Sequence, residues 1–79
     1  MPTNLPELEQ YLCRREVSLG MRISSLIRSS LTNEQFVSLG EKVLGSATIA
    51  EKEINAASVR RLNRAIDARR QHLTTKASN

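Results

Sequence analysis

The stretch Leu31-Thr32-Asn33-Glu34-Gln35-Phe36 does most to constrain what this chain can fold into. Thr32 and Gln35 stand at capping-box spacing. The Thr hydroxyl can accept from the Gln35 backbone N–H, and the Gln side chain can accept from the Thr32 N–H. Leu31, before the cap, and Phe36, at the fourth helical position, can close a hydrophobic staple that fixes the direction in which the chain joins the helix. One helical segment therefore ends before Leu31 and another begins at Asn33. The same spacing recurs at Thr48 and Glu51, and at Asn4 and Glu7, where Pro6 falls in the first turn and its missing N–H costs nothing.

Apolar periodicity fills the segments between. Leu5, Leu8, Leu12, Leu19, Ile23, Leu26 and Ile27 recur mostly at three- and four-residue intervals, which predicts an amphipathic helix over residues 5–30. Its stripe has a gap at Arg15-Glu16, followed by Gly20. Gly costs about 1 kcal/mol against Ala inside a helix, so Gly20 marks either a break or the close approach of a second helix. The next helix is predicted over 33–44, with Phe36, Leu39 and Val43 as its stripe and Gly45 as a left-handed C-terminal residue. Val17-Ser18-Leu19-Gly20 recurs as Val37-Ser38-Leu39-Gly40, too short a match to establish a repeat. From Ile49 the chain is rich in the good helix formers Ala, Glu, Lys and Arg, and a helix is predicted over 49–73. It is either continuous or broken at Ile54-Asn55, where Asn55 would cap a separate final helix. Val59, Leu62, Ile66 and Leu73 share one face, and Ala50, Ile54 and Ala57 form a neighbouring stripe. Residues 74–79 read as a frayed polar end. Nothing alternates over a strand's length. The expectation is a single all-α domain, a small bundle of three or four helices, with Leu12, Leu19, Ile23, Val59, Leu62 and Ile66 as the core or interface seam.

At 79 residues the chain is small enough for this to matter. A domain of this size buries only about 60% of the surface its unfolded form exposes. Tyr11 and Phe36 are its aromatics, and Cys13 is its only cysteine, so neither a disulfide nor a two-cysteine metal site can support the fold. A lean aliphatic core predicts that a homodimer supplies part of the stability. Cys13 itself reads as a small, partly buried apolar residue. No run of 18 apolar residues is present, so no membrane span is expected. Glu7 and Glu9 replace the basic start of a secretory signal, which leaves a reducing cytoplasm as the expected setting.

The charge is placed unevenly. Residues 1–59 hold six Lys/Arg against seven Asp/Glu, whereas residues 60–79 hold Arg60, Arg61, Arg64, Arg69, Arg70 and Lys76 against Asp67 alone. At about 100° per residue, Arg60, Arg61 and Arg64 share one face opposite the Val59-Leu62-Ile66 seam, while Arg69 and Arg70 flank that seam. These five arginines are the candidate binding residues, for duplex DNA or for an acidic protein surface. Against that stands a solvated helix face with Arg64 and Asp67 paired at i,i+3. The aromatic platforms of single-strand binders are missing, which lowers RNA and single-stranded DNA.

Two resemblances bear on function. Leu31-Thr32-x-x-Gln35-Phe36-x-x-Leu39, then Thr48-Ile49-Ala50-Glu51-Lys52, then Ala57-Ser58-Val59-Arg60-Arg61-Leu62 is similar to the helix-turn-helix core of MarR-type winged-helix repressors. That likeness implies a recognition helix at the last segment. The turn at Ile54-Asn55 is a residue short and lacks the usual glycine, and nothing after it reads as a β-wing. More of the chain, roughly residues 11–66, resembles the AriR/YmgB family of small enterobacterial biofilm and acid-resistance regulators, the two-component connector proteins. The residues that carry it are Tyr11, Leu19-Gly20-x-x-Ile23-x-x-Leu26-Ile27-Arg28, Leu31-Thr32-Asn33, Phe36-Val37, Leu39 and Val43-Leu44. The family implies a bacterial, all-helical homodimer that acts by protein contact on a signalling regulator, with DNA binding beside it. The basic C-terminus departs from that family, and no functional residue carries over.

Catalysis finds no support in the residues. His72 is the single histidine and reads as a surface residue, and one His with one Cys makes neither a metal site nor a nucleophile-base pair. Glu51 and Glu53 are two apart on a helix and face different ways. Three scattered glycines form no phosphate loop. The chain is therefore expected to be a non-enzymatic regulator with no cofactor, metal or small-molecule substrate, acting as a connector or inhibitor through a regulatory protein partner. The alternatives are a DNA-binding regulator using its basic last helix, and a phage- or plasmid-borne inhibitor of a host nucleic-acid enzyme.

Overall fold

A computed structural model describes residues 5–77, with the side chains of residues 5–74. The protein is all-α. Five helices follow one another, α1 (Leu5–Leu12), α2 (Leu19–Arg28), α3 (Asn33–Ser46), α4 (Ile49–Ile54) and α5 (Ala56–Ala77), with no strand among the described residues. The long last helix is the platform. α2 and α3 both pack along α5, and α1 packs on α2.

The caps form where the side chains allow them. Thr32 Oγ1 accepts from the Gln35 N–H at 3.2 Å, and Gln35 Oε1 accepts from the Thr32 N–H at 3.1 Å. Thr48 and Glu51 repeat the exchange at 3.1 and 2.9 Å. Leu31 and Phe36 both join the core, Phe36 fully buried. Replacing Thr32 by Ala is expected to cost about 1 kcal/mol. Chemical denaturation followed by circular dichroism checks it, and an unmoved midpoint would contradict the cap. The expected box at Asn4 and Glu7 involves Asn4, which lies outside the described residues.

Three helix boundaries differ from expectation. Residues 5–30 are two helices, not one, and the break is at 13–18, not at Gly20. The gap in the apolar stripe at Arg15-Glu16 leaves that turn without an apolar side chain to bury, and Ser18 restarts the helix by accepting from the Met21 N–H at 3.2 Å. Gly20 lies inside α2, where the chain approaches the α4–α5 junction. A Cβ there would stand 2.9 Å from Asn55 Oδ1 and 3.4 Å from Ser58 Oγ. Gly45 takes no left-handed conformation, and α3 runs on to Ser46. It ends at the extended residue Ala47 because Thr48 is already committed to starting α4. At the far end α5 continues through Thr74 to Ala77 instead of fraying after Leu73.

The 49–73 segment is broken at Asn55, whose φ and ψ are −110° and 33°. Asn55 does not cap α5 with its side chain. Its Nδ2 donates to the Glu51 carbonyl at 2.9 Å, and its Oδ1 accepts from the Gly20 N–H at 3.2 Å. The kink is thus pinned by α2, 35 residues earlier.

The core is aliphatic around one phenylalanine. Leu8, Leu12, Leu19, Ile23, Leu26, Phe36, Leu39, Val43, Leu62 and Ile66 are buried. Five seam residues, Leu12, Leu19, Ile23, Leu62 and Ile66, therefore find cover within one chain, and Val59 packs half-buried at the margin. α3 lies close on α5, where a Cβ on Gly40 would meet Ile66 Cδ1 at 2.8 Å. Cys13 is exposed rather than partly buried, because it falls in the turn after α1.

Candidate functional site

The five candidate arginines separate into two groups. Arg69 and Arg70 are bound into the fold. The Arg69 guanidinium lies over the Phe36 ring, 4.5 Å from its centroid, and donates to the Leu31 carbonyl at 3.3 Å and to Asn33 Oδ1 at 2.9 Å. A cation over the face of a buried ring, with its donors spent on the chain entering α3, is a packing device. Arg70 pairs with Glu41 of α3 and reaches Asp67 at 4.0 Å. Asp67 is thereby turned towards Arg70 and not towards Arg64, the partner that i,i+3 spacing offered it.

Arg60, Arg61 and Arg64 form the second group. All three are exposed, and none pairs with an acid among the described residues. They lie on the side of α5 that faces away from α2 and α3. Residues 50, 53, 54, 57, 60, 61, 64 and 68 are all exposed, so a single outward stripe runs from α4 along α5 at three- and four-residue spacing. Its α4 end holds Ala50, Glu53 and Ile54, with Ile54 83% exposed, and Ile49, 76% exposed, stands beside it. His72 is exposed on α5, and Lys76 has its side chain outside the described residues.

A sixth arginine, Arg22, has the most demanding surroundings in the molecule, and sequence reasoning passed over it. It is 1% exposed. Its guanidinium donates in three directions: to the Val17 carbonyl at 3.0 Å, to the Leu12 carbonyl at 3.2 Å and to Glu51 Oε2 at 2.6 Å. It thereby closes the last turn of α1, holds the 13–18 loop and ties both to α4. Arg15 adds a parallel link, donating to the Ser46 carbonyl at 3.2 Å and standing 3.9 Å from Glu51. The signal was present in the sequence. Arg22 lies three residues after Leu19 and four before Leu26, on the apolar face of α2, where a charge must find partners. No buried side-chain polar atom is without a hydrogen bond among the described residues.

The bonds that converge on Glu51 hold its carboxyl below the ordinary 4.5. The Thr48 backbone N–H is the largest cause, opposed by partial burial and helped by the Thr48 hydroxyl and by Arg22. A carboxyl that titrates lower in the folded than in the unfolded chain contributes fully above 4.5. That contribution is lost as pH falls through the folded value. Glu51→Gln keeps a capping residue at N3 but removes the charge facing Arg22. The variant is expected to melt below wild type at neutral pH, with the gap closing as pH drops well below 4.5. Melting curves across that range check it, and a gap independent of pH would contradict it.

Among the described residues no cluster of His, Cys, Asp and Glu could hold a metal ion, and no helix is long and apolar enough to cross a membrane. Neither a family model nor a curated protein nor a solved structure matches this chain.

Proposed function

We propose that the protein is a non-catalytic regulatory module that acts by protein contact, docking the outward face of α5 on an acidic surface of its partner. One observation carries this reading. Arg22 and Arg69 are consumed by the fold and Arg70 is paired at the surface with Glu41, whereas Arg60, Arg61 and Arg64 stand together on an exposed face with no internal acid. A guanidinium that contributes nothing to packing keeps its fork of donors for a carboxylate outside the chain. The connector role implied by the AriR/YmgB resemblance agrees with it. An acidic channel of a nucleic-acid enzyme would be met by the same face. The cytoplasm is the setting this reading assumes. A homodimer belongs to the proposal only on a surface other than the seam, whose large residues are already covered.

Duplex DNA is the second reading, and the same three arginines favour it. It ranks lower because α4 and α5 are joined through one residue, Asn55. A helix-turn-helix uses three or four residues to set its second helix across the first.

Binding of a labelled random duplex at about 50 and 200 mM salt separates the two, because three neutralised phosphates give a loss of about 40-fold over that range. The measurement uses wild type and the triple variant Arg60→Glu, Arg61→Glu, Arg64→Glu. The expected result is weak DNA binding in both, together with a protein retained from extract by wild type and released by the triple variant. Tight duplex binding with that salt response, abolished by the triple change, would overturn protein contact in favour of DNA.

A further inference from the structure

The arginine face does not stand alone. Ile49 and Ile54 are the most exposed large apolar residues among those described, and both sit on a helix of which no residue is buried. They do nothing for the core. α4 is nevertheless firmly held, and from behind: Glu51 is bonded to Arg22 and Asn55 to Gly20. At about 100° per residue these two point one way and the exposed Glu53 points the opposite way, with Ile49 and Ile54 on either side of Glu53, about 140° apart. The apolar pair is therefore presented by a fixed element and costs little ordering on contact. Ile54 ends α4, and Arg60, Arg61 and Arg64 lie in the first three turns of α5, beyond the kink at Asn55.

We infer that α4 and the first turns of α5 form one two-part surface for an acidic amphipathic helix of a partner protein. Apolar side chains of that helix cover Ile49 and Ile54, and carboxylates two to three turns along it meet Arg60, Arg61 and Arg64. This rests on the protein-contact reading above and names the partner's chemistry. Charge complementarity selects the occupant. Glu53 is the only outward acid between Ile49 and Arg64. Phosphates gain nothing from the isoleucines. A second copy docked face to face would set arginine against arginine. A lipid surface would find two isoleucines and none of the large aromatic or leucine side chains that seat an interfacial helix.

The test is selection from a random 18-residue peptide display library on wild-type protein, followed by affinities for two folded variants. One is the triple arginine-to-glutamate change and the other is Ile49→Ser with Ile54→Ser. All five positions are exposed, so both variants should retain wild-type helix content by circular dichroism. Enriched peptides should be net acidic, with apolar residues at i,i+3 or i,i+4 spacing, and should bind each variant at least about tenfold more weakly. Peptides that need the arginines but ignore the isoleucines would overturn the two-part surface and leave the protein-contact reading standing. Peptides indifferent to both variants would overturn both. Failure to enrich acidic peptides, with tight binding to random duplex DNA or to phosphatidylglycerol vesicles, would overturn the partner's class; failure to enrich or bind anything would overturn the inference outright.

Discussion

Leu62→Asp is expected to leave no folded protein. Leu62 is wholly buried where α5 meets the other helices, 3.6 Å from the position a Cβ on Gly40 would take. Losing the leucine costs about 3 kcal/mol in transfer and cavity terms. Placing a carboxylate there adds several kcal/mol more, because the unpaired arginines of α5 are exposed on its outward face, away from the core. A domain of this length has a stability on the order of 4–12 kcal/mol. The two costs together remove most or all of that. Far-UV circular dichroism suits the measurement, since the chain has no tryptophan and one tyrosine. Arg61→Asp, one residue earlier but exposed, is the control and should melt close to wild type. Wild-type helix content in the Leu62 variant would remove Leu62 from the core.

Arg22→Leu is expected to be the second largest loss, about 3 kcal/mol. Leucine fills part of the volume but donates nothing. The Leu12 and Val17 carbonyls lose their partners, and Glu51 loses the guanidinium that faces it. For a domain of 60–100 residues this corresponds to a fall in melting temperature of about 12–24 °C. Arg22→Lys should fall in between, because one ammonium cannot point along three divergent directions. Combining Arg22→Leu with Glu51→Gln should cost less than the sum of the single changes, since each removes the other's partner. Additive effects would mean that the pair contributes nothing as a pair.

What could be read from the sequence was what is local. The boxes at Thr32–Gln35 and Thr48–Glu51 form as spaced, because a cap depends on residues three apart and on little else. The all-α class followed from the same periodicity. What escaped depends on residues far apart. Gly20 offered a break or a close approach, and only the presence of Asn55, 35 residues on, decides for approach. Gly45 had the residue type of a helix stop, but nothing in the fold required a left-handed turn there. Among the arginines, helical spacing already set Arg60, Arg61 and Arg64 on one face and Arg69 and Arg70 beside the seam, but it could not say what would stand opposite the second pair. The structure supplies those partners from α3, the Phe36 ring for Arg69 and Glu41 for Arg70. Arg22 was hidden for the opposite reason. It looks like an interruption of an apolar stripe until Glu51 is seen to face it.

The order of the helices along the chain has a consequence for synthesis. Leu62 and Ile66 come from the last helix, and the contacts from Gly20 to Asn55 and from Leu31 to Arg69 span 35 and 38 residues. A ribosome delivers α2 and α3 before α5 exists. Until then Leu19, Ile23, Leu26 and Phe36 lack their covering helix, and a nascent chain in that state is open to association with its neighbours. The interval before α5 docks is therefore one in which a core that the finished bundle closes lies open.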